Sequence, residues 1–265
     1  MERVTPQYLK KKKEKGERAV LLTAYDYFIA RLEDEAGIDV ILVGDSYGTT
    51  VLGYSSTLPV TMADMLPIVG AVRRGAKRAM VIADMPYMSY QPSTEHAIRN
   101  AGRFMRLGVD GVKLEGGIVV KDTVKRLVDI GIPVMGHTGM TPQSYKKFGG
   151  YRVRGKKKDE FQELITDAMA LEEAGVFSII VECVPEDVTR RITEEIKVPV
   201  YGIGAGKHCD GQILVVTDLI GLSPGPMPKF VKEYAHLQND ITDAINRYMD
   251  EVRNGTYPNA SHTYF

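Results

Sequence analysis

What most limits the fold of this chain is an alternation repeated along nearly its whole length. A short, continuous apolar run ends in a polar or glycine-containing cluster, and a stretch with apolar residues three and four apart follows. The runs are Ala19–Asp26, Val40–Ser46, Arg78–Pro86, Gly111–Gly116, Pro133–Gly139, Phe177–Val184 and Val198–Gly206, with a weaker eighth at Val215–Gly221. Continuous rather than alternating apolarity marks strands covered on both faces, and such strands are usually parallel. The intervening stretches read as helices: Phe161, Leu164, Ile165, Ala168, Leu171 and Ala174 share one face, and Gly175 stops the pattern.

Eight strand–helix units favour a closed (β/α)8 TIM barrel over an open doubly wound sheet, and 265 residues are close to the roughly 250 typical of one barrel. Residues 1–265 are therefore expected to form a single barrel domain with an N-terminal helix and a C-terminal helical extension. Only Lys207 to Leu214 separate the seventh and eighth runs, room for about one helical turn, so the seventh helix is expected to be truncated. The basic run Lys10–Lys13, with Lys15, is expected on the solvated face of the N-terminal helix. Ser223 to Pro228 breaks the repeat before a last amphipathic helix that runs to roughly Arg253.

Two connections, Tyr47 to Thr61 after the second strand and Met140 to roughly Asp159 after the fifth, far exceed the ~2–6 residues usual for such loops. In a barrel both lie at the C-terminal face of the strands, where they read as glycine-bearing lids over a site or merely as long surface loops.

Composition restricts the partners. Thirty-four basic residues balance thirty-four acidic ones, so no net field draws the chain to nucleic acid or an anionic membrane. Small molecules and copies of itself are the expected partners. No segment approaches the ~18 uninterrupted apolar residues of a membrane span. Cys183 and Cys209 lack paired metal-ligand spacing and suit a reducing cytoplasm.

The strand ends carry an unusual density of charge: Asp45 and Ser46 on the second, Asp84 on the third, Lys113 and Glu115 on the fourth, His137 on the fifth, Glu182 on the sixth. Charged side chains are rarely buried without a partner. Asp45 and Asp84 end adjacent strands ~4.8 Å apart, so their carboxylates can converge on one cation. Oxygen ligands without His or Cys select a hard ion such as Mg²⁺, with Glu115 holding its waters from one strand further round. A helix N-cap is the bland alternative for either aspartate alone.

Lys113 and Glu115 are two residues apart and share one face of their strand. Lys113 is then placed to meet a substrate carboxylate or enolate oxygen; a Schiff-base role, or a plain salt bridge to Glu115, are its alternatives. Glu182, among Val181, Cys183, Val184 and Pro185 and across the barrel from the aspartates, is poorly hydrated and suits a general base. Its alternative is an ion pair with Arg190 or Arg191. His137 reads as a substrate hydrogen-bonding group or as a structural histidine. The glycine run Gly202 to Gly206 fits either a phosphate site or close packing.

Together these segments resemble the ketopantoate hydroxymethyltransferase family. The resemblance rests on VGDSYG (43–48), STLPVTM (56–62), IADMPYMSY (82–90), VKLEGG (112–117), GHTGMTPQS (136–144), VECVP (181–185) and GIGAGKHCDGQILV (202–215). Tyr47, Thr49 and Thr50 depart from it, at no proposed ligand. The resemblance implies one Mg²⁺ per subunit at Asp45 and Asp84 with Glu115 close by. It also implies a 2-oxo acid held by Ser46 and Lys113, Glu182 as proton acceptor, and Tyr25 and His137 as pocket residues. It further implies 5,10-methylenetetrahydrofolate as cosubstrate and a cytoplasmic homo-oligomer, commonly a homodecamer. A Mg²⁺-dependent lyase or mutase of the pyruvate or phosphoenolpyruvate type and a non-catalytic organic-acid-binding barrel are the rival functions on the same architecture.

Overall fold

Eight strands pair in parallel, each with a neighbour on either side, and their order closes on itself: β1 (Ala19–Thr23), β2 (Val40–Val43), β3 (Met80–Asp84), β4 (Gly111–Glu115), β5 (Val134–Gly139), β6 (Ser178–Glu182), β7 (Val200–Ile203) and β8 (Gly211–Leu214), which returns to β1. The computed structural model describes residues 2–223, 225 and 227–265. Before the barrel lies α1 (Pro6–Glu14). The connections carry α2 (Tyr27–Ala36), the one-turn α3 (Tyr47–Thr50), α4 (Met62–Gly75), α5 (Thr94–Met105), α6 (Lys121–Asp129), α7 (Lys158–Glu173) and α8 (Glu186–Glu195).

Side-chain caps start several of these helices where the sequence places Asp, Thr or Ser. Asp26 accepts from the backbone N–H groups of Phe28 and Ile29 at 2.7 and 2.9 Å, and Thr61 and Asp64 close a reciprocal capping box on α4.

Because successive side chains of a strand point to opposite faces, each strand divides its residues between two cores. Ile41, Val43, Val81, Ala83, Val112, Leu114, Ile179 and Val181 face outward to the helices. Val40, Leu42, Met80, Ile82, Met135, Ile180, Tyr201 and Ile213 fill the barrel interior, which Val4 and Leu9 join from the N-terminal segment and α1. The same parity carries upward: Asp84 follows Met80 and Ile82, His137 follows Met135, and Glu182 follows Ile180. The residues that close the apolar runs thus enter the barrel lumen above a packed floor.

Two expectations are corrected. The eighth strand is Gly211–Leu214, not Val215–Gly221. Gly211 permits this by letting β8 lie against β1, since a Cβ there would sit 2.3 Å from the Ala19 carbonyl oxygen, and no helix intervenes between β7 and β8. Nor is the basic run of α1 wholly solvated. Lys12 pairs with Asp39 at 2.8 Å and Lys13 with Asp210 at 3.0 Å, fastening α1 to the barrel's N-terminal end.

Residues up to Val215 form one compact unit and Val216–Phe265 a second. The second contains α9 (Val216–Leu219) and α10 (Leu237–Arg253), on which Ile241, Ile245, Tyr248 and Val252 are exposed. Of the expected break at Ser223 to Pro228, Pro224 and Pro226 lie outside the described residues. No helix among the described residues is long and apolar enough to cross a membrane.

Candidate active site

At the C-terminal end of the barrel, the turn after β2 brings Asp45 beside Asp84, whose Oδ2 accepts the Asp45 backbone N–H at 3.1 Å. Register aligns Asp84 with Lys113 on the neighbouring strand. Lys113 Nζ donates to Asp84 Oδ2 at 2.9 Å and to Glu115 Oε1 at 3.2 Å. All four side chains are buried.

Three carboxylates therefore surround one ammonium in a site from which water is largely excluded. Burial, and then the charge of Asp84, raise the Asp45 carboxyl well above the usual carboxylate range. Asp84 is raised chiefly by burial, with Lys113 opposing. Glu115 escapes: burial pushes it up, but Lys113 and His137 outweigh burial and bring it down to about 2. Burial works against the charge of Lys113, yet Asp84, Glu115 and Asp45 together hold its ammonium well above the ordinary range. That protonated state is incompatible with a Schiff-base nucleophile.

Asp84 Oδ1 is buried without a hydrogen-bond partner. Burial holds Asp45 and Asp84 toward their protonated forms, and a cation between them would let both ionise. Among the described residues no three His, Cys, Asp or Glu side chains form a metal cage. Two carboxylates without a cage match a hard ion that completes its shell with water and substrate oxygens.

Glu182 closes β6 on the opposite wall. Its Oε2 lies 3.2 Å from His137 Nε2, and His137 Nδ1 lies 3.6 Å from Glu115 Oε1; neither contact is aligned as a hydrogen bond. Burial and Lys113 oppose protonation of the imidazole, but the two flanking carboxylates prevail and raise its pKa. The arginines of α8 turn elsewhere, Arg190 to His208 and Arg191 to Glu195.

The backbone around Glu182 is tightly specified. Cys183 adopts φ 47°, a conformation costing a side-chain-bearing residue about 1–3 kcal/mol. Gly139, at φ 98°, lies so close that a Cβ would be 2.3 Å from the Glu182 carbonyl oxygen. Burial, then the Glu182 charge, push the Cys183 thiol up to about 12, so it is no nucleophile near neutral pH.

Between the two walls lies a cavity of about 110 Å³. Asp45, Ser46, Asp84, Lys113, His137 and Glu182, with Thr23 and Thr57, line its polar side, and Leu42, Gly44, Pro142, Ile180, Ile203, Ile213, Leu214 and Val215 line the rest. Tyr25 and Glu115 stand outside this lining. Tyr25 Oη is 2.7 Å from Ser46 Oγ, and Glu115 lies behind Lys113. Such a space suits a ligand with several oxygens at one end and a short branched hydrocarbon at the other.

Gln143 and Tyr90 complete the site, and neither carries a charge or a periodicity that marks it in the sequence. The Gln143 side chain donates to Asp45 Oδ2 and to the Met85 carbonyl, both at 2.9 Å, while its backbone N–H donates to Glu115 Oε2 at 2.9 Å. Tyr90 Oη donates to Gln143 Oε1 at 2.8 Å and accepts the Glu115 N–H. Both residues fall inside the quoted segments 136–144 and 82–90, the only signal that singled them out.

The sequence profile of the ketopantoate hydroxymethyltransferase family matches residues 3–260. A 3-methyl-2-oxobutanoate hydroxymethyltransferase of Syntrophus aciditrophicus (strain SB) is 52% identical over 263 residues, covering 99% of this chain and 97% of the relative. A protein of the same name from Kosmotoga olearia is 55% identical over 251 residues, 94% of each chain. Among solved structures, a phosphoenolpyruvate phosphomutase from Streptomyces platensis subsp. rosaceus superposes with a TM-score of 0.63 at 13% identity, covering 95% of this chain and 88% of that one. A 2,3-dimethylmalate lyase of the PEP mutase/isocitrate lyase superfamily gives 0.62 at 17%, covering 97% and 91%. At these identities the structural likeness establishes the (β/α)8 fold alone. The sequence matches go further: this chain belongs to the ketopantoate hydroxymethyltransferase family.

Proposed function

We propose that this chain transfers a hydroxymethyl group from 5,10-methylenetetrahydrofolate to 3-methyl-2-oxobutanoate, giving 2-dehydropantoate (ketopantoate) for pantothenate biosynthesis. The observation that carries the reading is the opposition of Glu182 to the Asp45–Asp84–Lys113 cluster across one small cavity.

Asp45 and Asp84 are the residues to hold one Mg²⁺ per subunit, with Glu115 close by. Bound there, Mg²⁺ would draw electron density from the 2-oxo acid and acidify its C3–H. Lys113 offers its ammonium to the oxygen on which negative charge develops, and Glu115 and Asp84 keep it charged and aimed. Ser46, anchored by Tyr25, orients the acid. Ile180, Ile203 and Ile213 surround the isopropyl group and exclude water from C3.

Glu182 removes the C3 proton onto its carboxylate, and His137 keeps the carboxylate facing the cavity. Hydrolysis of the folate-derived iminium releases tetrahydrofolate and delivers its one-carbon unit as formaldehyde, and the C3 carbon adds to that carbonyl, forming the new C–C bond and the hydroxymethyl product. The two free cysteines fit a cytoplasmic location. The exposed apolar side chains of α10 support self-association, which the family resemblance extends to a homodecamer.

The test is NMR detection of C3 proton exchange from 3-methyl-2-oxobutanoate in deuterated water. Exchange is expected to require Mg²⁺ and to fall by roughly 10²–10⁴ in Glu182→Gln, the span of general-base contributions. Undiminished exchange in that variant removes Glu182 as the base. With methylenetetrahydrofolate present, ketopantoate is the expected product; cleavage of a C–C bond would identify a lyase.

A further inference from the structure

The long connection between β5 and α7 is pinned to the site at both ends. Near its start, Pro142 lines the cavity and Gln143 binds Asp45 and Glu115. Near its end, the Arg154 N–H donates to the Cys183 carbonyl at 2.9 Å, one residue past Glu182. The span between crosses from one catalytic wall to the other.

A turn through Gly149 and Gly150, closed by the Gly150 N–H donating to the Tyr145 carbonyl at 2.9 Å, brings two aromatic rings together. Tyr145 and Tyr151 stack with centroids 5.3 Å apart and planes 7° from parallel. Tyr151 is 57% exposed, so the ring face turned away from Tyr145 is open. Arg154, laid over the Phe148 ring at 4.2 Å, braces the turn from beneath. Burial first, and then the charges of Asp45 and Glu182, push the Tyr151 hydroxyl up to about 12.

We propose that the stacked Tyr145–Tyr151 pair is the platform on which the flat heteroaromatic ring of the one-carbon donor lies while its one-carbon unit passes to the bound 2-oxo acid. This rests on the hydroxymethyl transfer proposed above. A cavity of about 110 Å³ admits a small 2-oxo acid. It is far below the roughly 300–1,000 Å³ of sites for larger ligands, so the donor must present its carbon from the mouth.

A parallel, half-solvated aromatic pair is the surface such a ring seeks, because stacking requires only a π-face and buries little polar edge. Charge agrees with this occupant. Residues 146–158 contain seven Lys or Arg and no acid. Although Arg152 and Arg154 are engaged by Glu160 and Glu163, Lys146 and Lys147 are exposed beside the platform and available to the glutamate carboxylates of a folate.

The experiment measures tetrahydrofolate binding by equilibrium dialysis and the KM for methylenetetrahydrofolate in the parent, Tyr151→Ala, Tyr145→Ala and Tyr151→Phe. Both alanine variants are expected to raise Kd and KM on the order of tenfold, and Tyr151→Phe, which keeps the ring, to stay within about twofold of the parent. Folate-independent C3 exchange, which reports the cavity itself, should persist in all of them. The platform is refuted if the alanine variants bind tetrahydrofolate as the parent does, or if the phenylalanine variant is as weak as alanine. A parent that forms ketopantoate with unmoved variants overturns the platform alone; a parent that neither binds tetrahydrofolate nor forms ketopantoate overturns both proposals.

Discussion

Replacing Lys113 by Met tests the charge balance on which the site rests. The ammonium is 2.9 Å from Asp84 Oδ2 and 3.2 Å from Glu115 Oε1, with side chains 2–5% exposed. At an effective dielectric of about 20, each attraction is worth about 5 kcal/mol. Methionine loses both, but it also relieves the several kcal/mol that desolvating the ammonium costs. The net loss of folding stability is expected to be about 3–5 kcal/mol, because the partner carboxylates stay buried without their cation.

The loss should depend on pH. Without Lys113, Asp84 and Glu115 bind protons more tightly in the folded than in the unfolded chain. Stability is then retained below the unfolded carboxylate range and lost as pH rises through it, so the deficit grows from pH 5 to pH 8. Added Mg²⁺ should restore part of it by supplying the missing positive charge. Urea unfolding at several pH values, with and without Mg²⁺, measures all three effects. A deficit below about 1 kcal/mol at pH 8 would refute the reasoning, since that is the scale of an exposed ion pair.

Two further outcomes are expected. Gln143→Ala removes donors from Asp45 and frees Tyr90, and should weaken Mg²⁺ binding by about 10–100-fold in calorimetric titration; unchanged affinity would show that Gln143 plays no part in shaping the metal site. Glu33, on α2, has both carboxyl oxygens buried without a partner, and burial, then Asp26, raise its pKa from 4.5 to about 9. Its folded pKa exceeds the unfolded one, so its contribution is intact below about pH 4.5 and lost as pH rises toward 9, a cost of about 3 kcal/mol at pH 7. Glu33→Gln should flatten that part of the pH–stability curve, and an unaltered slope between pH 5 and 9 counts against the assignment.

What the sequence disclosed follows from strand parity. Once Met80–Asp84 is a buried strand, Asp84 must share a face with Met80 and Ile82, and the same counting sends Lys113 and Glu115, His137 and Glu182 into the lumen. Counting fails where periodicity ends. Gly211–Leu214 contains an exposed Gln212, while Val216–Leu219 just beyond it is a single helical turn of similar length, and four residues are too few for period to separate strand from helix.

Gln143 lies in a connection with no period at all. Its importance comes from a sequence separation of 98 residues between it and Asp45, closed only when β2 and β5 stand in one barrel. Register was likewise beyond reading: that Glu115 aligns with His137, and so draws His137 toward both carboxylates, is a property of pairing rather than of either strand. These unread contacts are the ones that fix protonation. An isolated Lys113–Glu115 bridge would be an inert neutral pair. Adding Asp84 from β3 and Asp45 from the turn after β2 surrounds the same lysine with carboxyl groups that burial drives toward protonation, and a divalent ion would let them ionise.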